Sequence, residues 1–74
     1  MSFDYRKLRG KIREVFGTEE RFAEELGFSS VTLSFKLNSK SEWTQKEINK
    51  ACALLGLSRV DIPEYFFNLI IKKT

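Results

Sequence analysis

At 74 residues the chain has room for one small core and excludes two. It carries no histidine and a single cysteine. That composition excludes an ordinary zinc site and an internal disulfide, and it removes the usual general base. A net charge of +3 with a pI near 9.2 is mildly basic, which permits a nucleic-acid partner without requiring one. We therefore expect no enzyme activity, no cofactor and no metal. No run is apolar enough to cross a bilayer and nothing at the N-terminus resembles a signal peptide, so a cytoplasmic protein is expected.

The first element is a helix from Asp4, as N-cap, to about Phe16. Tyr5, Leu8, Ile12, Val15 and Phe16 recur at three- and four-residue spacing and predict its inward face. Arg6, Lys7, Arg9, Lys11 and Arg13 fall outside that face and form a basic run uninterrupted by acids. Gly17 is a natural stop and Thr18 a natural cap.

The second helix spans about Glu19 to Leu26, with Phe22, Ala23 and Leu26 inward. Glu19 and Glu20 complement the positive end of its dipole. Gly27 ends it, since the residue past a helix end often takes a left-handed backbone. The small Ala23 lets the next helix cross closely. That third helix spans about Ser30 to Leu37, capped by Ser29, with Leu33 and Leu37 inward. Two short amphipathic helices joined by a glycine turn have the layout of a helix-turn-helix over about 19–37.

Asn38 to Ser41 read as a polar loop. The fourth helix has the most explicit start: Thr44-Gln45-Lys46-Glu47 is a capping box, and Trp43 with Ile48 forms a hydrophobic staple. Ile48, Ala51, Cys52 and Leu55 carry the inward stripe to Gly56, and Cys52 reads as a small core filler. A short fifth helix enters through Pro63, and Tyr65, Phe66 or Phe67 plugs the bottom of the core. Residues 68–74 read as a continued helix, as an edge strand, or as a frayed end with a hydrophobic anchor.

With Leu33 inward, a turn of about 100° per residue places Ser30, Val31, Ser34 and Phe35 on the outer side of the third helix. In a major groove these four would meet base edges. None is arginine, asparagine or glutamine, so no bidentate pairing to guanine or adenine is available and the readout would rest on thymine methyls. Phosphate contacts would fall to Thr18, Arg21, Ser29, Thr32, Lys36, Asn38 and Lys40. The same residues support a second reading, because an exposed phenylalanine on a helix often marks a protein contact. The carboxylates of Glu19 and Glu20 also weigh against strong DNA binding.

The stretch T-E-E-R-F-A-E-E-L-G-F-S followed by T-L-S-F-K-L-N-S-K resembles the Cro/repressor (XRE) helix-turn-helix regulators. Together with the ending I-P-E-Y-F-F it is similar to small phage-type members of that family. Ala23, Gly27, Phe28, Ser29 and Leu33 carry the match, which runs from about Phe3 to Phe67. The resemblance implies an all-α, five-helix, lambda-repressor-like fold in a bacterial host cell, binding operator DNA as a homodimer to regulate transcription. Three departures from the pattern involve four positions. Glu19 stands where glutamine is common, Lys36 where an apolar residue is frequent, and Val31 and Phe35 where polar readers are usual. The alternative function is a helix-turn-helix scaffold that grips another regulator protein through Val31 and Phe35, as an antirepressor would.

Overall fold

The computed structural model describes residues 3–68. Five α-helices follow one another: α1 (Arg6–Phe16), α2 (Glu19–Leu26), α3 (Ser30–Leu37), α4 (Gln45–Leu55) and α5 (Ile62–Phe66), with a 3-10 turn at Arg59–Asp61 before the last. The all-α, five-helix expectation holds, and the predicted limits of α2 and α3 match the observed ones.

Local chemistry sets most boundaries. Thr18, Ser29 and Thr44 sit in extended backbone, and each side chain accepts an amide from the following first turn. At Thr44 the capping box is complete, with the Glu47 carboxylate accepting the Thr44 amide at 2.8 Å. The start of α1 differs from expectation. Tyr5 is its cap residue, and Asp4 acts from one position further out, accepting the Arg6 amide at 2.9 Å.

Two helices end in the same hydrogen-bonded closure. After α2, the Gly27 amide donates to Glu24 O and the Phe28 amide to Ala23 O. After α3, the Ser39 amide donates to Lys36 O and the Lys40 amide to Phe35 O. Both are Schellman motifs and need a left-handed residue at the turn. Gly27 meets that need at φ 83°, whereas Ser39 adopts φ 60° despite its side chain. Ser39 is held there by Phe3: its Oγ accepts the Phe3 amide and donates to the Phe3 carbonyl, both at 3.2 Å.

The core is built on Leu8, Ile12, Phe22, Leu33 and Phe66, all fully buried. Ala23 is 1% exposed at the α2–α3 crossing, where a larger side chain would separate the helices. Phe16 packs on Phe22 at 5.3 Å between centroids, and Trp43 meets Phe66 edge-on at 5.2 Å. Phe66 is thus the aromatic plug. Val15, expected on the inner face of α1, is exposed, because that face closes through Phe16.

The chain's described ends lie side by side, with the Asp4 amide donating to Asn68 O at 2.6 Å. Asn68 has left the helix; the rest of the tail reading falls on 69–74, outside the described residues. Among the described residues no helix is long and apolar enough to cross a membrane.

Candidate interaction surface on the third helix

The outer side of α3 is where the sequence placed it. Ser30, Val31, Ser34 and Phe35 are all exposed, Val31 at 60% and Phe35 at 48%. Thr18, Arg21, Ser29, Thr32, Asn38 and Lys40 surround them, also exposed. Ten of the eleven candidate contact residues are therefore exposed. Lys40 extends back toward Phe35, its Nζ 5.8 Å from the ring centroid.

Lys36 is the exception and corrects the phosphate set. It is 5% exposed, and its Nζ donates to Glu47 Oε1 and to Glu42 O, both at 2.8 Å. Its aliphatic stem is sheltered by Phe28 and Trp43, whose ring centroids lie 5.3 and 5.8 Å from the ammonium. Lys36 and Leu37 both face inward. The helical arithmetic contained this signal. Lys36 follows Leu33 by three residues and shares its side of α3.

Several polar groups on the surface are already committed to the fold. Ser29 Oγ accepts the Thr32 amide at 3.1 Å and lies 2.9 Å from Thr32 Oγ1. Asn38 donates to Ser34 O at 2.9 Å and accepts from Arg9 at 3.1 Å. These groups keep little capacity for a phosphate.

The basic run of α1 is also largely neutralised. Arg6 pairs with Asp4 at 2.7 Å, Arg9 with Glu19 at 3.0 Å and Lys11 with Glu14 at 3.9 Å, and Lys7 pairs with Glu64. Arg9 additionally bridges to Leu37 O at 3.3 Å, locking α1 to the end of α3. Glu19, at the position where the resemblance implies glutamine, is thereby a structural anchor for Arg9. Beside Ser30, the exposed Glu20 and the exposed Arg13 line one shallow pocket with Thr18 and Glu19. With Lys36 buried and Asn38 and Ser29 committed to the fold, the face keeps few groups for a polyanion.

Burial pushes the Glu47 carboxyl up, but the hydrogen bonds from Lys36 and Thr44 and the Lys36 charge outweigh it and leave the group below its ordinary value. Among the described residues no cluster of potential metal ligands forms.

This geometry defines an all-α helix-turn-helix domain with an apolar third-helix face. The chain belongs to the family described as "Protein of unknown function (DUF739)", which matches residues 1–69. It is also similar to the solution structure of the modulator of repression (MOR) of the temperate bacteriophage TP901-1 from Lactococcus lactis. That likeness has 51% sequence identity, covers 92% of each chain and has a TM-score of 0.80. No curated protein matches the chain.

Proposed function

We propose that this protein is a phage or prophage regulator that modulates repression by binding a repressor protein through Val31 and Phe35 on α3. The carrying observation is the outer face itself. Two exposed apolar side chains stand in it, none of its four residues is arginine, asparagine or glutamine, the adjoining Asn38 is bonded to Ser34 and Arg9, and the lysine in the same helix is buried against Glu47. Aromatic residues anchor protein interfaces, and their truncation often removes much of the binding energy. The likeness to a modulator of repression supports the same reading. The role is occupancy of a partner, with no chemistry.

The helix-turn-helix arrangement itself favours a second reading, operator binding through Ser30, Val31, Ser34 and Phe35 as a homodimer. Arg21 and Lys40 would then supply most of the phosphate contacts, so the affinity would be low and strongly salt-dependent. One experiment separates the two. The purified protein is titrated against the repressor of the same phage and, separately, against duplex DNA pools at rising salt. The proposal expects a complex with the repressor that persists at high salt, because apolar contacts are not screened. Saturable duplex binding that falls steeply with salt, without repressor binding, overturns it.

A further inference from the structure

Away from the outer face of α3, the first described residues, the α3–α4 loop and the end of α5 enclose a groove of about 370 Å³. Phe3, Tyr5, Trp43, Phe66 and Phe67 line it, half of the chain's ten aromatic residues. The rings are tilted against one another: Phe3 and Tyr5 lie 6.3 Å apart, and Phe3 meets Phe67 edge-on at 5.7 Å. Phe66 belongs to the core, but Phe67 is half exposed, so the groove has an open aromatic wall.

Glu42 completes the lining. Its side chain is exposed, and no lysine or arginine forms an ion pair with it among the described residues. The neighbouring cations are already neutralised: Arg6 by Asp4, Arg9 by Glu19 and Lys36 by Glu47. Burial first, and the Glu42 charge second, push the Tyr5 phenol up, which places that carboxylate's field across the groove. The Trp43 indole N–H is itself buried, with no acceptor among the described residues.

Ring faces and a carboxylate with no ion-pair partner among the described residues both attract a cation, and a flat, weakly hydrated one stacks best. Lys36 already shows this chemistry at the same indole. We propose that the groove is a binding site for an arginine side chain of a partner protein, separate from the Val31–Phe35 face. The guanidinium lies against the rings and pairs with Glu42.

The test is an NMR titration of the full chain with N-acetyl-arginine methylamide and with its uncharged isostere, N-acetyl-citrulline methylamide. The arginine compound should give saturable shifts at the Trp43 indole and at the Phe3, Tyr5 and Glu42 amides. The citrulline compound should bind about fivefold more weakly. In Glu42→Gln, an exposed substitution that leaves the core untouched, the two compounds should converge to within about twofold. Equal binding of both compounds to the unsubstituted protein would reduce the site to an uncharged apolar slot and overturn the proposal. So would the absence of saturable shifts from either, which is the result expected if the groove is already filled.

Discussion

Lys36 Nζ lies 2.8 Å from Glu47 Oε1, and the same oxygen accepts the Thr44 amide at 2.8 Å. One carboxylate therefore caps α4 and neutralises the buried lysine of α3. Removing the ammonium alone, as in Lys36→Met, leaves Glu47 charged and less than fully solvated. We expect a loss of about 1–3 kcal/mol, below the figure for a fully buried pair because Glu47 keeps some water contact. For a domain this size each kcal/mol lowers Tm by roughly 4–8 °C. Calorimetry checks this, and Lys36→Met combined with Glu47→Gln should recover part of the loss.

The same carboxyl predicts the acid limb of stability. Its value in the folded protein lies below the reference of 4.5. The contribution is therefore fully present above pH 4.5 and is lost as pH falls through the lower, folded value. Urea titrations at stepped pH should show the decline, and Glu47→Gln should flatten it.

Ser39 predicts a contrast between two small substitutions. Ser39→Ala keeps the left-handed strain and loses both bonds to Phe3, and should destabilise by about 1–2 kcal/mol. Ser39→Gly loses the same bonds but relieves the strain, so its cost should be smaller by up to about 1 kcal/mol. Equal urea midpoints for the two would show that the backbone at Ser39 carries no strain.

Phe35→Ala should leave the unfolding free energy within about 0.5 kcal/mol of the parent, since the ring lies outside the core. Binding to a repressor should fall by about tenfold or more. Isothermal titration beside a denaturation curve reads both quantities. A collapse of the fold would place the ring in the interior instead.

The helices were legible because their ends are written in side-chain chemistry. Thr18, Ser29, Thr44 and Gly27 do locally what their types suggest, so α2, α3 and the start of α4 follow from the sequence. The outer face of α3 was legible for a similar reason, as Leu33 fixes the phase of the helix. Lys36 was misplaced because residue type outweighed position. A lysine can go inside when a carboxylate eleven residues later closes the pair, and that separation leaves no local mark. The α1 cations lie outside the core as expected, but the pairing of Arg9 with Glu19 and of Lys7 with Glu64 left no local mark, those partners lying in other helices. Val15 failed for a different reason: Phe16, beside it, fills the available space.

The bond from Asp4 to Asn68 has a consequence for synthesis. The plug of the interior, Phe66, and the acceptor that fastens the opening residues are among the last described parts to emerge from a ribosome. The loop after α3 is secured by Phe3, which is itself next to that late clasp. A nascent chain stalled before residue 66 would hold the helix-turn-helix without its floor, leaving the outer face of α3 on an unfinished scaffold. The outer face of α3 should therefore gain its finished support in one step, once Phe66 and Asn68 are in place.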